Sequence, residues 1–430
     1  MRMSENGRGR VQADKPVSGE RSPRALHVCM HVRGTARLDA RVMREAKALA
    51  DAGFSVTVVD IERDASRGRE ETIDGVQLRH LVLPSHFTPS RFKPWFLVRL
   101  MRSWLRAALT LADVPADAFH AHDVDALPPC SVVARAKRRP LILDAHELPL
   151  VQPHLTRWRR LRALAVRVLR ILVARCTAVI LTAQPMVDEM QHLYGGPRAT
   201  IVRNFPPYAP PVSSNRLRET LNLPPKTKIA LYQGNLQANR TLHILVEAAR
   251  YLAPDIVIVM MGKGPLRERL HTMIEEQGVQ DRVKMLPAVP YAELLEWTAS
   301  ADLGLTVFEP HYSPHIYLCL PNKLFEYLMV GLPVLTSRMV AVADIVTTYG
   351  VGRVVETLDP QVVGEAISDL LANRTELERM RHQALEAARQ DLNWEHEQQY
   401  LLDLYRTLLA PRLRTSSPAV STAQSVAEGR

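Results

Sequence analysis

Apolar residues along this chain fall into short runs that alternate with stretches of helical spacing, and the alternation occurs twice. In the first half, ALHVCMHV (25–32), SVTVVDI (55–61), LILDA (141–145) and TAVILT (177–182) read as strands, while 39–52 repeats its apolar positions with a helical period. The rhythm restarts after the proline-rich NFPPYAPPV (204–212), with KIALYQG (228–234), DIVIVMMG (255–262), VKMLP (283–287), DLGLTVF (302–308) and GRVVE (352–356) as strands between helices. Strand–helix alternation of this kind predicts parallel sheets covered by helices on both faces. The expected layout is an α/β chain with one Rossmann-like domain over 24–208 and a second over 209–392. The two would enclose a cleft at the carboxyl ends of their strands, where such sheets bind ligands. A final helical pattern, NWEHEQQYLLDLYRTLL (393–409), predicts a helix over 393–410 that packs back on the first domain, and polar segments at 1–23 and 411–430 read as disordered tails.

Length and composition fit this division. A chain of 430 residues exceeds the roughly 250–300 residues at which single cores stop growing, and 47% hydrophobic residues are ample for two. Cys29, Cys130, Cys176 and Cys319 are far apart in apolar surroundings without metal-ligand spacing, which predicts reduced thiols used as small hydrophobes. The start of the chain has no apolar run that would act as a leader, and no later stretch has the roughly 18 uncharged apolar residues of a membrane span. A cytoplasmic location is the expectation.

The densest chemistry lies in LPNKLFEYLMVGLPV (320–334). Pro321 suits a helix start, so a helix predicted from Asn322 would turn its free N–H groups and positive dipole end toward any anion, with Lys323 adding a full charge. Glu326, one turn on, could accept both hydroxyls of a ribose, and Gly331 ends the helix. Taken alone, the segment reads equally well as an amphipathic helix with Leu324, Phe325 and Leu328 in a core. In the same domain Gly234 and Asn235 close a strand, and Arg240 stands ahead of TLHILVEAARYL, where its planar fork suits phosphate. Gly262 and Gly264 of MGKGP would let backbone approach a ligand closely, or form only a tight turn.

The first domain has His120, His122 and Asp123 in FHAHDVDAL, and His146 with Glu147 after LILDA. Three histidines with carboxylates raise a metal site, but their spacing supplies no complete ligand set, and no metal is expected. Asp123 and Asp125 form an Asp-x-Asp just before a helical segment, where capping is the simpler role.

Together with LDARVMREAKALADAGFSVTVV (38–59), TIVRNFPP (200–207) and MGKGPLRERL (261–270), these segments, in this order, resemble a family 4 glycosyltransferase of the GT-B fold. The resemblance implies a UDP- or GDP-linked nucleotide sugar in the second domain, a glycan or lipid-linked acceptor on the first, transfer with retention at the anomeric carbon, and no metal or other cofactor. It places Arg240 and Lys323 on the donor diphosphate, Glu326 on the ribose, and Gly234, Gly262, Gly264 and Asn322 around the donor. His146 would reach the donor sugar, and Gly34, His122 and Asp123 would shape the acceptor side. One position departs: Leu318 stands where many members have a glutamate that contacts the donor sugar. That departure keeps an inactive nucleotide-sugar-binding subunit open as an alternative, and a sugar-nucleotide epimerase of the same architecture is another.

Charge is unevenly placed. Residues 91–106 hold five basic residues and no acid (Arg91, Lys93, Arg99, Arg102, Arg106), and 154–175 hold seven and no acid (Arg157, Arg159, Arg160, Arg162, Arg167, Arg170, Arg175). Their total exceeds the net +10 of the whole chain. With Trp95, Phe96 and Trp104 as anchors, the first segment suits an anionic membrane surface, and it reads equally as an exposed helix beside the acceptor cleft. The motifs give no support to nucleic-acid binding.

Overall fold

The apolar runs assemble into two sheets whose central strands are buried on both faces, as strands flanked by helices must be. The computed structural model describes residues 25–62, 64, 66, 68–82, 94–148, 159–309 and 314–416. The first sheet contains β1 (His27–Val32), β2 (Ser55–Glu62), β3 (Glu70–Ile73), β4 (Val76–Val82), β5 (Ala118–His122), β6 (Leu141–Asp144), β7 (Ala178–Leu181) and β8 (Ala199–Ile201). Its order is β3-β4-β2-β1-β5-β6-β7-β8, and only the edge pair β3–β4 is antiparallel. The second sheet contains β9 (Lys228–Gln233), β10 (Ile256–Met261), β11 (Val283–Leu286), β12 (Leu303–Thr306), β13 (Val334–Ser337) and β14 (Gly352–Val355), in the order β11-β10-β9-β12-β13-β14. Strand order reverses between β1 and β5 in one sheet and between β9 and β12 in the other. Crevices open at such switch points.

Helices α1 (Ala40–Asp51), α2 (Pro94–Asp113), α3 (Leu127–Lys137), α4 (Arg159–Val173) and α5 (Gln184–Tyr194) belong to the first domain. Asp39 caps α1 by accepting from the backbone N–H groups of Arg41 and Val42. In the second domain, Pro321 precedes a helix over Asn322–Met329, and Gly331, at φ +71°, leads the chain out of it. The last helix runs Trp394–Ser416, past the expected end at 410, because Pro411 removes one ladder donor without stopping it. It crosses back to the first sheet and buries Trp394, Leu401, Leu402, Tyr405 and Leu409 in the same core as Val28, Met30 and Val42. At about 2 kcal/mol per buried apolar side chain, these five residues are a large part of that face's stability. The other face of the first sheet packs with Leu318, Leu320 and Ala341 of the second domain, so an apolar seam joins the halves.

All four cysteines are free thiols. Burial pushes the thiols of Cys29 and Cys176 up to about 12, so they act as small hydrophobes. No described helix is long and apolar enough to cross a membrane. The 1–23 tail, the 417–430 part of the other, and Arg91, Lys93 and Arg157 lie outside the described residues.

Candidate active site

A cavity of ≈ 530 Å³ lies between the domains at the carboxyl ends of both sheets. Its floor is backbone. β9 ends in Gly234, at φ +122°, and β10 in Gly262, where a Cβ would lie 1.9 Å from the Gly234 carbonyl oxygen. A Cβ on Gly264 would lie 2.3 Å from the Leu236 carbonyl oxygen. Gly262 and Gly264 are therefore required because the loops after β9 and β10 lie directly on one another. Gly234 and Gly262 line the cavity, whereas Gly264 supports it from beneath.

The second-domain wall carries the cations. Lys323, on the first turn of the Asn322–Met329 helix, is 8% exposed, and its Nζ has no hydrogen-bond partner among the described residues. The ammonium rests 3.5 Å from the centre of the Tyr232 ring and 5.1 Å from that of Phe308. Burial, and then the nearby Arg240 charge, hold its pKa well below the ordinary lysine value. Arg240 also stacks on Phe308, with its guanidinium 4.7 Å from the ring centre. Two cations converging on one wall, with no ion-pair partner among the described residues, form a site that an anionic ligand would stabilise. Glu326 is fixed one turn along. Its Oε2 accepts from Gln233 Nε2 at 2.7 Å, and Gln233 Oε1 accepts from Thr298 Oγ1 at 2.8 Å. Burial raises the Glu326 pKa above the ordinary glutamate value, opposed by the Gln233 hydrogen bond and by Lys323.

The facing wall belongs to the first domain, with Asp39, Arg41, His146, Glu147 and Thr182, and with Asn204 from the linker. His146 follows β6 and is held at three points. Its backbone N–H donates to Asp123 Oδ1 at 2.8 Å, its Nδ1 lies 3.4 Å from Asp123 Oδ2, and its Nε2 lies 2.9 Å from Asp144 Oδ2. Burial alone would lower its pKa, but the charge and hydrogen bond of Asp144, with Asp123 behind, raise it to about 9. The imidazole is thus a cation at neutral pH.

Asp144 is itself the centre of a buried cluster. It accepts from Arg41 Nε at 2.8 Å and Arg41 Nη2 at 2.7 Å, with His122 Nδ1 at 3.2 Å. Arg41 Nη2 also lies 3.0 Å from Glu45 Oε1. Although burial disfavours the charge, Arg41 and the two histidines hold the Asp144 carboxyl well below the usual range. Burial pushes Glu45 up to about 8 despite Arg41. His120 stacks on His122 with ring centres 4.3 Å apart, and its Nδ1 lies 2.7 Å from the Tyr405 hydroxyl of the last helix. Ligand atoms of Glu45, His120, His122 and Asp144 lie within 4.8 Å of one another. In this arrangement the Arg41 guanidinium supplies the positive charge that both carboxylates face.

Several sequence-predicted residues meet at the cavity: Gly234, Arg240, Gly262, Asn322, Lys323 and Glu326 on one side and His146 on the other. His122 lies behind His146 in the buried cluster, and Gly34 lies in the turn after β1, exposed and away from the lining. Asp123, at φ +63°, does not cap α3, whose first residue is Leu127; it holds the backbone of His146 instead. Asp125 pairs with Arg33 at 3.2 Å. The sequence reading did not include Arg41, Glu45 or Asp144. A signal existed, because Arg41 and Glu45 fall on the same helical stripe as Val42, Ala46 and Leu49, where charge needs a buried partner. It also missed the link across the cleft: Arg44 bonds the Asn204 side chain and the Phe205 carbonyl, and Asn204 Nδ2 donates to Asn322 Oδ1 at 3.0 Å.

Two facing parallel-sheet domains with a basic, glycine-floored cleft between them are the architecture of a GT-B glycosyltransferase. The family comparisons agree: residues 39–205 match the family model described as Glycosyltransferase Family 4, and 213–391 match that described as Glycosyl transferases group 1. The chain belongs to this glycosyltransferase family.

A D-inositol 3-phosphate glycosyltransferase of Xylanimonas cellulosilytica is 26% identical over 54% of this chain, a match spanning only 57% of that protein. One from Catenulispora acidiphila is 25% identical over 86% of this chain and 91% of the relative. Among solved structures, sucrose-phosphate synthase from Thermosynechococcus elongatus superposes with a TM-score of 0.72 at 18% identity, covering 90% of this chain and 100% of that one. Anabaena HepE in complex with UDP and glucose superposes with a TM-score of 0.68 at 16% identity, covering 89% and 100%. These likenesses show the fold.

Proposed function

We propose that the protein transfers a sugar, with retention of anomeric configuration, from a nucleoside-diphosphate donor to a cell-envelope, polysaccharide or lipid-linked acceptor. The carrying observation is Lys323, a buried ammonium without a hydrogen-bond partner among the described residues, beside Arg240 at a helix start. In this reading Lys323, Arg240 and the first N–H groups of the Asn322–Met329 helix neutralise the diphosphate as the bond from the anomeric carbon to phosphate oxygen breaks. A new bond then forms from that carbon to an acceptor oxygen, whose proton leaves with the nucleoside diphosphate. Glu326, fixed by Gln233, takes the ribose hydroxyls, and the His146 imidazolium, whose ring nitrogens are held by Asp123 and Asp144, offers its positive charge to the donor from across the cleft. These groups do the electrostatic work without a divalent ion, and the HepE complex with UDP and glucose favours a UDP-linked donor.

In the place of the family's sugar-contacting glutamate, Leu318 packs against the first-domain core. The donor sugar is then held by fewer carboxylates in this reading, and the substitution strengthens the seam between domains.

The test is turnover of candidate UDP- and GDP-sugars with and without acceptor. Lys323→Ala and Arg240→Ala are each expected to abolish transfer and the thermal stabilisation by nucleoside diphosphate while keeping the fold. Full activity in either variant refutes the diphosphate assignment. Conversion of donor without acceptor would favour an epimerase, and binding without turnover an inactive subunit.

A further inference from the structure

Large aliphatic side chains stand exposed on three neighbouring helices of the first domain. On α2 these are Val98, Met101, Leu105 and Leu109, spaced i, i+3, i+7 and i+11 on one stripe. On α4 they are Leu164, Val168 and Ile171, and Val132 projects from α3, which packs against both. Each of the eight is between 46% and 64% exposed. Scattered exposed aliphatics are ordinary, but two stripes and a bridging residue on adjoining helices form a contiguous patch of the kind that marks an interaction surface.

The charges around the patch are of one sign. Exposed Arg99, Arg102 and Arg106 follow the α2 stripe one position on, and exposed Arg162, Arg167 and Arg170 alternate with the α4 stripe. The only acidic residue within α2, α3 or α4 is Asp113, at the very end of α2. Arginine stems can lie on an apolar layer while their heads reach an anionic boundary.

The α4 stripe continues, one turn beyond Ile171, into a small cleft of ≈ 190 Å³ lined by Ser131, Ala134, Arg135, Arg139, Leu141 and Arg175. Arg139 is held loosely by Asp117, with Nη1 to Oδ1 at 3.6 Å. Three guanidinium groups around one concavity suit the oxygens of a phosphate. This cleft lies at the amino ends of β6 and β7, the opposite edge of the sheet from the sugar-transfer cavity.

We infer that the α2–α3–α4 face docks on an anionic lipid bilayer, with the aliphatic stripes entering the interface and the Arg135–Arg139–Arg175 cleft receiving a lipid phosphate. Charge selects this occupant. A second copy would bring the same arginines face to face, with only Asp113 and Asp117 at the margin of the described patch to relieve them. The anchors differ from those the sequence suggested: Trp104 is half-buried, with its Nε1 donating to the Asp125 carbonyl at 3.0 Å, and the side chains of Trp95 and Phe96 lie outside the described residues. The inference stands on these helices and does not depend on the transfer chemistry.

Sedimentation of the full chain with large unilamellar vesicles tests it, comparing phosphatidylglycerol–phosphatidylcholine mixtures with pure phosphatidylcholine. Binding is expected on the anionic vesicles, at least tenfold weaker on the neutral ones, and reduced by salt. The R135Q/R139Q/R175Q variant should lose about fivefold per arginine on anionic vesicles, on the order of a hundredfold in all. M101E/L105E/L164E/I171E should lose binding to both vesicle types while its melting temperature and its response to UDP stay unchanged, since all four side chains are exposed. Millimolar inorganic phosphate should not displace the protein. No binding, equal binding to neutral vesicles, displacement by free phosphate, or full binding by either variant overturns the inference. So does a concentration-dependent dimer that the four-glutamate variant abolishes, which would make the patch an interface between copies.

Discussion

Replacing Asp144 by Asn should uncouple His146 from its charge. Asp144 accepts two bonds from Arg41, at 2.8 and 2.7 Å, and lies 2.9 Å from His146 Nε2. The imidazole pKa of about 9 is 2.5 above its reference of 6.5, equivalent to about 3 kcal/mol favouring the charged ring. The folded value exceeds the unfolded one, so this contribution is fully present below pH 6.5 and is lost as pH rises through 9. Glu45 acts in the same direction over a lower window, because its folded value of about 8 exceeds its reference of 4.5. The buried His31, His120 and His122, whose pKa values burial lowers, act the opposite way below their reference of 6.5, so the stability of the native protein should fall between pH 6.5 and 9.

In Asp144→Asn the largest raising influence on His146 disappears while burial remains, so its pKa should drop below 6.5. Arg41 keeps only Glu45 as a close carboxylate, a disruption of a buried ion pair that costs about 3–5 kcal/mol. Histidine-labelled NMR titration, with urea unfolding at pH 6 and pH 9, measures both quantities. A His146 pKa still near 9 in the variant, or native stability that does not decline across this range, would refute the reasoning.

Lys323→Met should leave the empty protein more stable by about 1–2 kcal/mol, because an unpartnered buried ammonium is replaced by a side chain of similar length; urea unfolding reads the gain, and calorimetry with UDP should read lost binding. Gly262→Ala should cost about 3 kcal/mol or more, since its Cβ would meet the Gly234 carbonyl at 1.9 Å, visible as a lower melting temperature and loss of the donor-induced shift. Leu318→Glu should place a carboxylate against the apolar seam and cost about 1–3 kcal/mol, checked by thermal melting alongside the donor KM, which reports whether the carboxylate gains the sugar. Tyr405→Phe removes the hydroxyl 2.7 Å from His120 Nδ1 and should cost about 1 kcal/mol, measured in urea.

The central strands were legible because each is a nearly unbroken apolar run between turn residues, and β9, β10 and β12 fall inside the runs read from the sequence. The edge hairpin β3–β4 was not. β3 alternates exposed and half-buried residues, so its only clear mark is Asp74-Gly75, both at positive φ, the turn that a tight hairpin requires. The clustering of Pro321, Lys323 and Glu326 at the cavity wall was legible because they lie within one short segment, where helix geometry brings them together. The Arg41–Asp144–His146 cluster was hidden because its members come from α1 and β6, more than a hundred residues apart in sequence, and only sheet order brings them together. Gly262 and Gly264 were noticed for close approach of backbone to a ligand or for a tight turn; the packing of the loops after β9 and β10 on one another, which also requires them, was not legible.

The last helix has a consequence for how the chain is made. Five of its side chains complete the core beside β1, and Tyr405 meets His120 in the cluster behind His146. The first domain therefore lacks five of its core side chains until residues 394–409 have been synthesised, whereas the second domain draws its own core from residues that precede them. During that interval the β1 face is open, and a nascent chain halted before residue 394 would expose it to chaperones and proteases.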